Sequence, residues 1–412
     1  MDIKITPNHL HGSVKVPQSK SICHRALICA ALADKPTRLL VTDVPDDVRK
    51  TAEFVRAIGA EVDFQSDHIA ITPVKDLPES ASFDCEKSRN TIRFAIPLTA
   101  SLGIKSEFFG DEKLKIDHIS SLMEMLKAHG CTFESQMLPI KMTGKIRTGD
   151  YYISASESSQ FISSLMMGLA RTKGDSKIVL LPPNNSKRYI DVTVSVLQSF
   201  GSSIECLPDG YLIHGKPFVS PGEFCPEGDF SAAAVWLSMG VAVTGIDRRS
   251  KQADETALDV LVSMGALLFE RDGELHCHTN NMHSFCLDAA QFPDILPALC
   301  AAAATAKGTT HVMGAGKLKY RDTDRINGIC GLINALGGKA YPFAEDIVIE
   351  GVPSLKGGEA PCGGDHRLVL AAAALSCNCK EPVIIRGADS VQSNYRNFWN
   401  DFRSVGGIYE QI

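Results

Sequence analysis

The chain has 412 residues, 44% hydrophobic and 22% charged, with a formal net charge of −6. That length exceeds what one core usually supports, so two domains are expected, and the ordinary composition excludes a disordered chain. The acidic balance argues against a nucleic-acid surface, and the longest apolar stretches are broken by Gly, Ser or charge, which argues against a membrane span.

"GSVKVPQSKSICHRALICAALA" (12–33) places Lys20, Ser21 and Arg25 around the start of a helix. The two cations and the hydroxyl suit a dianion, and an ordinary cap followed by a solvated basic face suits the pattern as well. In "DCEKSRNTIRFAIPL" (84–98), Lys87, Arg89 and Arg93 open an apolar helix or strand. Their spacing suggests an anionic ligand, although the turn lacks the glycine that a backbone phosphate cradle usually needs. "ASESSQFISSLMMGLA" (155–170) sets Ser158, Ser159 and Gln160 before helical periodicity, where a phosphate seat and simple serine capping are both open. "NNSKRYIDVT" puts Ser186, Lys187, Arg188 and Tyr189 at a corresponding place.

Further along, His276, Cys277 and His278 alternate as on a strand, and the 13 cysteines contain no C-x-x-C pair, so no metal site is expected. Without a signal-peptide pattern, reduced thiols and a cytoplasmic location are expected. Two Ala- and Leu-rich helices are expected in 292–306 and 366–377. Asp294 lies just inside the first, and Asp365, His366 and Arg367 lie at the mouth of the second. Between them, "GKLKYRDTDRING" (316–328) interleaves Lys317, Lys319, Arg321 and Arg325 with Asp322 and Asp324. It reads as a solvated salt-bridge segment or, with Asp322 and Arg325 three apart on a helix, as carboxylates for proton transfer beside guanidiniums for a planar anion.

A helix, a glycine and an alternating strand recur together at Gly59, Gly130, Gly201, Gly265, Gly337 and Gly406, 64 to 72 residues apart. The chain therefore reads as six mixed units, three per domain.

The segments "VPQSKSICHRALICAALA", "VPDDVRKTAEFVRAIGA", "SSQFISSLM", "SKRYIDVT", "EGDFSAAAVWL", "FPDILPALCAAAA", "RDTDRI" and "GGDHRLVLAAAAL" occur in that order. Together they resemble the EPSP synthase family of enolpyruvyltransferases almost from end to end. The resemblance implies an α/β (α+β) fold of two lobes, each of three βαβαββ units. Residues 1–18 plus 228–412 would form one lobe and 19–227 the other, with the active site in the cleft between them. It implies transfer of the enolpyruvyl group of phosphoenolpyruvate to the 5-hydroxyl of shikimate 3-phosphate, on the route to chorismate and aromatic amino acids. No metal or organic cofactor, no nucleic acid and no membrane is implied, and a monomer is expected.

By the same resemblance, Lys20, Asp294 and Asp322 are the catalytic positions. Shikimate 3-phosphate would be bound by Lys20, Ser21, Arg25, Ser158, Ser159, Gln160, Ser186, Tyr189, Asp294 and Arg321. Phosphoenolpyruvate would meet Lys20, Arg93, Arg325, Arg367 and, as a substitute cation, Arg89. Four departures stand out. Glu86 and Arg89 occupy places where the family has glycines, Asp117 stands where it has an arginine, and Ser393 stands where it has a lysine. Arg321 and Asp322 replace its usual Lys-Glu. The alternatives are a catalytically impaired shikimate 3-phosphate-binding or regulatory homologue, and an enzyme like the sister transferase acting on UDP-N-acetylglucosamine.

Overall fold

Each of the six glycines that punctuate the sequence adopts φ between +78° and +108°, the left-handed region in which a Cβ is disfavoured. In each case a helix ends and the chain turns directly into a strand. In the computed structural model, which describes residues 1–111, 114, 119–154, 158–182, 187–320 and 323–412, this event builds six four-stranded sheets.

All six sheets share one design. Strands Ser80–Asp84, Lys105–Phe109, Ile140–Gly144 and Cys131–Phe133 lie side by side in that order. The first two run parallel, with Ser80 opposite Lys105, and the others pair antiparallel. Helix Arg89–Leu102 makes the parallel crossover, and Ser120–Ala128 leads into the closing hairpin, giving βαβαββ. Burial alternates along the central strand, with Ser106 and Phe108 inward, so each sheet has one covered face. Strand Glu274–His278 follows the same rule and buries Leu275 and Cys277, which accounts for the His-Cys-His alternation.

The chain divides into two units, Lys20–Pro226 and Met1–Ser19 with Glu227–Ile412, each with three sheets and its own apolar core. Strand pairing explains why the N-terminus joins the second unit. Ile3–Thr6 pairs with Val383–Ile385 and Ile408–Gln411, while Ser13–Lys15 pairs with Ala242–Thr244. Within Lys20–Pro226, the returning strand Glu223–Phe224 completes the first sheet beside Thr37–Leu39.

In each unit buried helices form the interior. Ile22 to Ala31 of helix Lys20–Ala31 are all buried, as are Leu368 to Ser376 of helix His366–Ser376. The helix expected from residue 292 begins at Leu296, with Asp294 two residues ahead of it rather than inside; Pro297 in its first turn needs no amide partner. No helix among the described residues is long and apolar enough to cross a membrane.

Candidate active site

A buried helix start exposes unpaired amides to the interior, so polar side chains gather there. In Lys20–Pro226, Ser88 caps Arg89–Leu102 by accepting from Thr91 N, and Ser158 caps Ser159–Arg171 by accepting from Gln160 N. The capping reading of Ser158 therefore holds, and the same hydroxyl also receives Arg93 at 3.4 Å.

Asp47, in the first turn of helix Asp46–Ala57, organises this region. Lys20 Nζ lies 3.0 Å from its Oδ2, Asn90 Nδ2 donates to that oxygen at 2.5 Å, and Ser88 Oγ donates to Oδ1. His24 Nε2 lies 3.4 Å away. Burial alone would raise the Asp47 pKa, but Lys20, His24 and Ser88 outweigh it and hold the carboxyl well below its ordinary value. His24, 1% exposed, is pushed down by burial despite Asp47, which keeps the imidazole neutral near pH 7. Facing an acceptor-only carboxylate, its Nε2 carries the proton, and Nδ1 accepts from Thr51 Oγ1 at 2.8 Å.

Arg25 is 4% exposed, and protein groups meet all three of its nitrogens. Nε donates to Thr193 at 2.6 Å, and the terminal nitrogens donate to Ser21 O at 2.7 Å and Ser163 at 3.2 Å. Burial lowers its pKa to about 10. Arg93 donates to Gln160 Oε1 at 2.9 Å and lies over the Phe161 ring. Arg89 is the half-buried first residue of its helix, whereas Lys87 is exposed. Glu86, where a glycine was expected, keeps a glycine-like φ of +44° and pairs with Lys50 at 2.7 Å. Ser21, Ser159 and Tyr189 are half-buried at or near the starts of their helices.

In the unit containing Glu227–Ile412, four helix starts contribute a second constellation. Asp365 caps His366–Ser376 by accepting from Arg367 N at 2.9 Å. Its other oxygen receives Arg325 Nε at 2.8 Å and Thr323 Oγ1 at 2.9 Å. Burial would raise Asp365, but Arg325 prevails and the carboxyl stays below its ordinary value. Arg325, itself 2% exposed, also reaches Asp294 at 3.4 Å. Arg367 donates to Ser231 Oγ at 3.2 Å, and that hydroxyl donates to Asp254. The Arg367 Nε is buried without a hydrogen-bond partner among the described residues. Burial, reinforced by Asp294, raises Asp254 to about 6, against the pull of Ser231 and Arg367. Ser393 ends a 3-10 turn, donating to Ser390 O at 2.9 Å. Asp117, Ser186, Arg321 and Asp322 lie outside the described residues.

Asp47, His24, Asn90, Ser231 and Asp254 were not singled out from sequence. The two acidic residues of "VPDDVRK" opening a helix were the only visible signal, because the partners of these groups come from other helices.

The profile of EPSP synthase (3-phosphoshikimate 1-carboxyvinyltransferase) matches residues 5–402. A 3-phosphoshikimate 1-carboxyvinyltransferase of Clostridium kluyveri is 34% identical over 422 residues, covering 99% of this chain and 98% of that protein. This chain belongs to the EPSP synthase family. The relative of that name from Clostridium perfringens is also 34% identical, with 98% of each chain covered. Among solved structures, EPSP synthase from Acinetobacter baumannii superposes with a TM-score of 0.85 at 20% identity, over the full length of both chains. The enolpyruvyl transferase NikO from Streptomyces tendae gives 0.77 at 17% identity, covering 99% of this chain and 98% of that one. At those identities the two structures establish the shared fold, which here comprises two units of three four-stranded sheets each.

Within an EPSP synthase frame, the constellations offer complementary chemistry. One pairs Lys20 with the ionised Asp47 and holds Arg25 and Arg93 on neutral oxygens, which leaves a surplus of positive charge suited to an anion. The other sets Arg325 and Arg367 beside carboxylates that accept protons or hydroxyl hydrogens.

Proposed function

We propose that the chain is a working member of the family, a cytoplasmic monomer that transfers the enolpyruvyl group of phosphoenolpyruvate to the 5-hydroxyl of shikimate 3-phosphate and releases phosphate. The reading is supported by the meeting of Asp294, Arg325 and Asp365, from three separate family motifs, beside an Arg367 whose buried Nε has no partner among the described residues. A buried unpaired donor is costly, and an anionic ligand would relieve it.

In this reading Asp294 accepts the proton of the attacking hydroxyl as its oxygen bonds to C2 of phosphoenolpyruvate. A proton is delivered to C3, and Lys20 is the group assigned to proton transfer near both substrates. The resulting tetrahedral intermediate loses a proton from C3 and expels phosphate, restoring the enol ether. Ser21, Arg25, Ser158, Ser159, Gln160, Ser186, Tyr189 and Arg321 are assigned to shikimate 3-phosphate. Arg93, Arg325 and Arg367 are assigned to phosphoenolpyruvate, with Arg89 supplying charge in place of the absent lysine at Ser393 and the absent arginine at Asp117. Asp322 takes the place of the family's catalytic glutamate.

The experiment supplies purified protein with both substrates and measures phosphate release together with the enol ether product. Coupled release establishes the reaction. Binding of shikimate 3-phosphate without release would make the chain an impaired homologue, and release only with UDP-N-acetylglucosamine would reassign it to the sister chemistry.

A further inference from the structure

One side chain joins two groups of site residues that belong to different helices. Asn90, second residue of helix Arg89–Leu102, donates Nδ2 to Asp47 Oδ2 at 2.5 Å, and its Oδ1 accepts from Gln160 Nε2. Gln160 Oε1 in turn accepts from Arg93 at 2.9 Å. The same Asp47 oxygen holds Lys20 Nζ at 3.0 Å.

The chemistry of the two ends dictates every direction in this chain. A guanidinium only donates, and an ionised carboxylate only accepts. Donation therefore runs from Arg93 to Gln160, from Gln160 to Asn90, and from Asn90 to Asp47. Turning the Asn90 amide over would set oxygen against the Asp47 oxygen and nitrogen against the Gln160 nitrogen. A flip of Gln160 would produce the same double mismatch toward Arg93 and Asn90. Each bond polarises the next in a partly buried setting, so the series is stiffer than its members taken singly. Both terminal cations are long side chains with large rotamer entropy, which such a brace removes before a ligand arrives.

We propose that Asn90 is a positioning residue for the transfer reaction, joining Lys20 to Arg93 through Asp47 and Gln160 so that the two cations are oriented as one unit. The identity of the ligands rests on the function proposed above, whereas the bracing role rests on the bonds alone. Serine or threonine is too short to span both partners, and a leucine of equal size has nothing to donate or accept.

Two variants test this. Asn90→Leu keeps the volume and removes both bonds. Asn90→Ser covers the case in which leucine beside the Asp47 carboxylate prevents folding. Calorimetry gives Kd for shikimate 3-phosphate, phosphate release gives KM for phosphoenolpyruvate and kcat, and thermal melting reports the fold. A folded variant is expected to raise both Kd and KM about tenfold and to lower kcat. Combined with Gln160→Leu, it should be no more than about twofold worse than the poorer single variant, since both changes cut the same chain. A purely structural Asn90 would lower Tm while leaving Kd and KM native, and that result overturns the proposal. Fully additive losses in the double variant would overturn it as well. If the native protein binds shikimate 3-phosphate but releases no phosphate, the turnover reading fails, and the Kd comparison alone decides on Asn90. A native protein that binds neither substrate would overturn both.

Discussion

Lys20 and Asp254 show how differently two ionisable side chains are handled. Lys20 faces Asp47 at 3.0 Å with its side chain 21% exposed, paired yet reachable. As the assigned proton-transfer group it cannot be replaced by an uncharged isostere. Lys20→Met is expected to lower kcat by about 10²–10⁴-fold with the fold retained, read by phosphate release and circular dichroism. Asp254 is buried, and its carboxyl is raised to about 6 chiefly by that burial. A carboxyl raised above its unfolded value near ~3.9 supports folding fully below that pH and loses the contribution as pH climbs through 6. Asp254→Asn is therefore expected to gain stability relative to the native chain between pH 4 and 7. The gain is on the order of 2–3 kcal/mol, because each tenfold change in proton affinity is worth about 1.4 kcal/mol. Urea unfolding of both proteins across that range checks it, and a difference that does not vary with pH would contradict the burial argument.

At the scale of elements, buried helices fill the cores, and the starts of both the crossover helices and the hairpin-leading helices carry the site residues. Helix His366–Ser376 is buried along nearly all its length and opens on Asp365, which caps it and neutralises Arg325 from the neighbouring helix Arg325–Ala335. One carboxylate thus serves backbone and side chain together. Asp365→Ala removes the cap and the nearer of the two carboxylates that pair with a guanidinium 2% exposed, leaving Asp294 at 3.4 Å, so a loss of about 2–4 kcal/mol is expected in urea unfolding. Asp365→Asn preserves capping, which is worth about 1 kcal/mol, and should recover only that part. Equal losses in the two variants would mean that the Arg325 charge dominates and that the cap contributes nothing.

For the whole molecule, the relevant fact is that each unit completes its own sheets. Every strand of the three sheets in Lys20–Pro226 comes from within that stretch, and its apolar cluster is separate from that of the other unit. A protein comprising residues 20–226 is therefore expected to fold cooperatively by itself, with dispersed NMR amide signals and a single unfolding transition. A fragment lacking Glu223–Phe224 should fold less stably, because Thr37–Leu39 would lose its parallel neighbour. A molten 20–226 chain would show that the other half supplies part of its core.

The repeat, the buried helices and most of the charged residues at helix starts are legible in consecutive residues. Helix termination by glycine and apolar periodicity are local and leave a trace in consecutive residues. Arg25 and Arg325 were equally visible as cations, but their burial and their partners were not, since Thr193, Ser163 and Asp365 come from other helices. In the sequence Asp47 and Asn90 are ordinary polar residues near helix starts. Only the packing of four helix starts made the first a shared anion and the second a link, because a side chain's electrostatic role depends on what stands within about 4 Å of it, wherever in the chain that group originates.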